Sequence, residues 1–109
     1  MTKYFVISTG PRGCYMSDSS HVVRVNTRRE LKSILENGAE TLRDAGYVVR
    51  KRAPASVAAA AWRNAHAVRP TYLPICIPAR PSWGDHESYG IFVSIASRAD
   101  YLEYCDSQA

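Results

Sequence analysis

The chain has no apolar run approaching the ~18–20 residues that a membrane-spanning helix needs, and no membrane partner is expected. Its N-terminal stretch, MTKYFVISTG, offers one lysine and then four apolar residues, too few for a secretory hydrophobic region, and reads as a strand. Cysteine is scarce: Cys14, Cys76 and Cys105 are an odd number without a C-x-x-C spacing. A small secreted domain ordinarily carries an even disulfide set. All three are therefore read as reduced thiols, Cys76 as a buried one between Ile75 and Ile77, and the expected location is cytoplasmic. His21, His66 and His86 do not fall into close pairs with these cysteines, so no metal and no cofactor is expected. Paired carboxylates and nucleotide-loop endings are missing as well.

The most informative absence is of acid. Between Gly46 and Arg80 there is no Asp or Glu, while Arg50, Lys51, Arg52, Arg63, Arg69 and Arg80 all lie there. Residues 1–80 hold 13 Lys/Arg against 5 Asp/Glu, and residues 81–109 hold 1 against 5. The net +4 thus separates into +8 and −4. One reading is a basic surface for phosphate or for an acidic protein face. The other is a solvated face neutralised by the acidic C-terminal third folding back on it.

A length of 109 residues with 46% apolar and 22% charged residues fits one small folded domain over 1–109. KYFVIST (3–9) and HVVRV (21–25) read as strands, and GPRG (10–13) as a turn. Thr27 followed by Glu30 is a capping box. It opens a helix over about 28–45, with Leu31, Ile34, Leu35, Leu42 and Ala45 on one side and Gly46 as its stop. Gly38 marks either a close backbone approach or a break. YVVRKR (47–52) is a third strand. The alanine-rich 55–68 is a second helix with Val57, Ala61, Trp62, Ala65 and Val68 on its apolar stripe. Four prolines space out an extended segment over 70–81, where regular pairing is expected only at an edge. YGIFVSIAS (89–97) is a strand, and RADYLEYCDSQA a short terminal helix or ordered tail, with 106–109 flexible. The expected class is α+β: a mixed or antiparallel sheet of three to four strands with two helices, in the order ββαβα(extended)β. Open edges at YVVRKR or YGIFVSIAS allow a homodimer as well as a monomer.

Three stretches invite a chemical reading. In WGDHE, successive side chains alternate, so Asp85 and Glu87 share a side while His86 faces away, and no local triad forms. The stretch reads as a recognition loop or a plain polar turn, with Trp83 exposed beside it. Cys14, near Arg12 in a glycine turn, is the one candidate nucleophile for a Cys-dependent enzyme, against a structural thiol. Trp62, Tyr72 and Trp83 lie among the basic residues as candidates for base stacking.

The short strand MTKYFVIS, a loop, a second strand and one capped amphipathic helix resemble the layout of small accessory proteins of phages and mobile elements, the anti-CRISPR proteins among them, over residues 1–46. The resemblance implies a non-enzymatic protein that occupies a surface on a larger, nucleic-acid-handling complex. The expected contacts are Arg50, Lys51, Arg52, Arg63, Arg69, Arg80, Trp83, Asp85 and Glu87, the types that dominate interface energy being Arg and Trp. A variant has the acidic residues Asp85, Glu87, Asp100, Glu103 and Asp106 imitating phosphate. The alternatives are direct nucleic-acid binding through the basic 50–80 surface and an enzyme built on Cys14.

Overall fold

A computed structural model describes residues 2–11, 20–83 and 89–108. Five strands, β1 (Lys3–Pro11), β2 (His21–Val25), β3 (Tyr47–Val48), β4 (Ile75–Pro81) and β5 (Tyr89–Ala96), alternate with α1 (Arg28–Asp44), α2 (Ala53–Ala65) and α3 (Arg98–Gln108). The sheet runs β2-β1-β5-β4-β3, every neighbour antiparallel. This is an α+β domain whose sheet has one strand more than the three to four expected, and whose terminal segment, read as a short helix or an ordered tail, is a third helix.

The pleat sorts the residues. Phe5 pairs with Val23 and Ile95, Ile7 with Val93, and Ile77 with Ile91, all on one face. Helix α1 closes that face with Leu31, Leu35, Ala39 and Leu42, and α2 with Val57, Ala58 and Ala61. Helix α1 starts at Thr27, whose hydroxyl accepts from the Glu30 amide at 3.2 Å, while Glu30 reaches back to the Asn26 amide at 3.4 Å. Gly46 ends it with φ +98°. The helix passes Gly38 unbroken, and Ile91 packs there close enough that an added Cβ would lie 3.2 Å from its Cδ1.

Four expectations need correcting. The segment 70–81 is not merely extended: 75–81 is β4, paired with β5 along Ile75–Ala79 and with β3 only at Arg80 and Pro81. Pro78 therefore lies where the strand has a partner on one side only, the situation in which a sheet tolerates proline. The third strand stops at Val48 rather than 52, because Arg50 to Arg52 turn into α2. Helix α2 begins at Ala53, with Pro54 in its first turn, where the missing N–H has no partner to lose. It also ends at Ala65, so Val68 leaves the apolar stripe and is 99% exposed. Finally, residues 106–108 are the last turn of α3 rather than a tail.

Helix α3 rests on the other side of the sheet from Phe5. The Tyr101 ring meets that of Tyr4, 5.4 Å between centroids, and none of the helix's residues is buried. Its start is a second capping box: Asp100 accepts from the Ser97 amide at 2.9 Å, and the Asp100 amide donates to the Ser97 hydroxyl at 3.1 Å. The Ser97 amide, and then its hydroxyl, hold the Asp100 carboxyl below its ordinary 3.8. A depressed carboxyl stabilises the fold above its unfolded value and loses that contribution as pH falls through the lower folded one. The amide shifts of residues 97–101 should accordingly report fraying of α3 only below pH 3.8. An NMR pH titration checks this, and fraying between pH 5 and 7 would show another group in control.

Candidate interaction surface

The β3 edge gathers an aromatic stack. Gly46, in its left-handed conformation, turns the chain from α1 into β3, and its carbonyl accepts from the Ser82 amide at 3.0 Å. That bond brings the end of β4 beside the start of β3. Tyr47 stacks on Tyr89 (4.7 Å, 21°) and meets Trp83 edge-on (5.2 Å, 68°). A Cβ on Gly46 would come 3.1 Å from the Trp83 ring, so the indole is seated against bare backbone. It still leaves 59% of its surface in solvent. Trp83 is fixed on one side and presented on the other.

Basic residues follow on the same corner. The Arg43 guanidinium pairs with Glu40 and donates to the Val49 carbonyl at 3.3 and 3.1 Å, pinning the main chain where it leaves β3. The next three residues, Arg50, Lys51 and Arg52, are exposed. Arg80 is exposed on β4, directly across from Val48 of β3. Arg52 caps α2 without a side-chain bond, and no acid occupies the first turn. Three cations at a helix N-terminus oppose its dipole, so their grouping does not serve the helix.

Arg63 lies eleven residues beyond Arg52, three turns and about 16 Å along α2 on the same side. Arg69 follows in the loop after it. The six basic residues therefore form a group of four at the β3 corner and a pair at the far end of α2, rather than one cluster. None of them pairs with a carboxylate among the described residues, where the ion pairs are Lys32–Glu36 and Arg43–Glu40. Asp100, Glu103 and Asp106 ride on α3, which packs on β2 at the opposite edge, ~19 Å away across five strands. The acid of α3 thus lies away from the basic corner instead of neutralising it. Asp85, His86 and Glu87, like Cys14, lie outside the described residues.

The loop from α2 to β4 is a feature that the sequence reading missed. Asn64 and Thr71 form a reciprocal pair, amide nitrogen to carbonyl and backbone N–H to amide oxygen, both at 2.8 Å. The His66 ring nitrogen lies 2.9 Å from the Trp62 carbonyl, and the Trp62 ring 6.4 Å from Phe5 in the core. Pinned in this way, the loop exposes Val68 (99%), Tyr72 (73%) and Leu73 (74%). The visible signal was the pair of prolines at 70 and 74, which stop both helix and strand. Trp62, which the sequence places on the apolar stripe of its helix, is partly buried against the core and not presented for base stacking.

A cleft of about 270 Å³ lies elsewhere, lined by Ile7, Thr9, His21, Ile34 and Gly38 among others. His21 is, among the described residues, the one titratable side chain that lines it. Among the described residues no three His, Cys, Asp or Glu side chains converge as a metal site, and Cys76 and Cys105 are not joined by a disulfide. Cys76 is partly exposed rather than buried. No described helix is long and apolar enough to cross a membrane. No protein-family model, curated protein or solved structure matches this chain.

Proposed function

We propose that this protein acts by binding, without chemistry of its own, to an acidic surface of a larger protein or nucleoprotein complex inside the cell. Arg50, Lys51, Arg52 and Arg80 supply the charge and Trp83 the anchor. The observation that supports this reading is the exposed basic corner with no carboxylate partner among the described residues, set beside an indole held on a tyrosine stack. Exposed arginines and a seated, solvent-facing tryptophan are the groups that dominate interface energies. The layout of residues 1–46 carries the further suggestion that the target handles nucleic acid and that the protein inhibits it, as anti-CRISPR proteins do.

A second reading is direct nucleic-acid binding, favoured by exposed aromatics, Trp83 and Tyr72, on a basic surface. Affinity capture from lysate, with and without nuclease and at low and high salt, separates the two. The proposed function predicts one protein complex that survives nuclease. Recovery of nucleic acid alone, lost at high salt, would make this a nucleic-acid-binding protein instead.

A further inference from the structure

The largest exposures of apolar side chains on the described surface are not at the basic corner. Val68, Tyr72 and Leu73 fall within six residues of one loop and leave 99%, 73% and 74% of their surfaces in water. Single exposed apolar residues are ordinary; three on one short segment concentrate apolar surface that contact with a partner would take out of water. The loop is also pre-shaped. The two-way bond between Asn64 and Thr71 closes it at its base, and Pro70 and Pro74 fix two of its φ angles. A segment ordered before binding loses less entropy on binding.

The chemistry of the occupant follows from what surrounds the three side chains. Arg63 adjoins Asn64 and Tyr72 adjoins Thr71, so the paired bond sets an arginine and a tyrosine at its two ends, and Arg69 rises from the loop between them. No acid lies on the loop or on α2. The complement is negative at its rim. At its centre it is apolar: Val68 and Leu73 are aliphatic, have no ring to stack on a base, and gain only by entering an apolar pocket. We propose that residues 66–74 form an apolar anchor in which Val68, Tyr72 and Leu73 enter a hydrophobic pocket of a protein partner, and Arg63 and Arg69 meet carboxylates on its rim. This rests on the reading of the chain as a protein-binding protein and adds a second contact to the basic corner.

The test places the photo-crosslinker p-benzoylphenylalanine at position 72 of the full chain and illuminates it in lysate with and without nuclease. The crosslinked protein is then purified and titrated with the unmodified chain, with V68S/L73S, with R63E/R69E and with R50E/K51E/R52E. The anchor predicts that V68S/L73S weakens binding about thirtyfold or more, from burial of two aliphatic side chains. R63E/R69E should weaken it about tenfold and flatten its salt dependence. Thermal midpoints of V68S/L73S should match the parent, since both side chains are already in water. If V68S/L73S binds like the parent while R50E/K51E/R52E does not, the basic corner stands and the anchor is overturned. The converse result keeps the anchor and removes the corner. Crosslinks to nucleic acid, or to no protein at all, overturn the anchor.

Discussion

Gly90→Ala will lower the thermal midpoint by roughly 10–20 °C, from an overpacking cost of about 2–3 kcal/mol in a domain of this size. Gly90 sits in β5, the middle strand, paired with Gly10 on one side and Pro78 on the other. A Cβ there would lie 2.7 Å from the Ile77 carbonyl oxygen and 2.7 Å from the Cys76 sulfur. The sulfur has some freedom to rotate away; the carbonyl belongs to a strand whose Ile77 is wholly buried. Relief therefore requires β4 and β5 to part, at the centre of the sheet. Gly38→Ala is the informative contrast. Its Cβ meets only the tip of the Ile91 side chain at 3.2 Å, and alanine gains about 1 kcal/mol over glycine inside a helix. That variant should melt within a few degrees of the parent. A Gly90→Ala protein that does the same would show that β4 and β5 are not packed this closely.

Reversing the three charges in R50E/K51E/R52E will reduce affinity for the target about a hundredfold or more, because attraction is replaced by like-charge repulsion across the contact. The loss will not come from unfolding. The three side chains project into water, and acids at the start of α2 suit its dipole better than the native cations do. The variant should melt at or slightly above the parent temperature. Loss of binding without loss of stability is the signature of a contact surface, and a thermal scan beside the titration reads both.

Much of this architecture was legible because its signals are local. Thr27 and Glu30, the Leu31–Leu35–Leu42 spacing and Gly46 specify α1 without reference to the rest of the chain. The strength of β1 and β5 is likewise written in their own residues. What was missed depended on neighbours. Strand β4 contains Pro78, which argues against a strand until β3 is seen to be too short to pair with it. Helix α3 is a different case: it has no apolar stripe, so the sequence left it between a short helix and an ordered tail, and the Ser97–Asp100 capping pair, local like that of α1, decides for the helix. Helix α2 ends early because Asn64 turns its amide to Thr71, a bond that no spacing rule contains. For the surface, the sequence supplied the charge asymmetry, and chain order supplied neither edge. Helix α3 lies by β2 while Arg50–Arg52 lie by β3, and the strand order β2-β1-β5-β4-β3 makes β2 and β3, joined through α1, the two opposite edges of the sheet. The dimer edge expected at YGIFVSIAS is removed for the same reason, since β5 is central.

The two poles of the molecule give the most direct test. Capture from nuclease-treated lysate is run with three baits: the parent, R50E/K51E/R52E, and E103K/D106K on α3, which leaves the Asp100 cap in place. Binding through the β3 corner predicts that the parent and the α3 variant retain the same protein complex and that the 50–52 variant loses it. A complex that stays with the 50–52 variant and is lost from the α3 variant would contradict the account and make the acidic helix the contact.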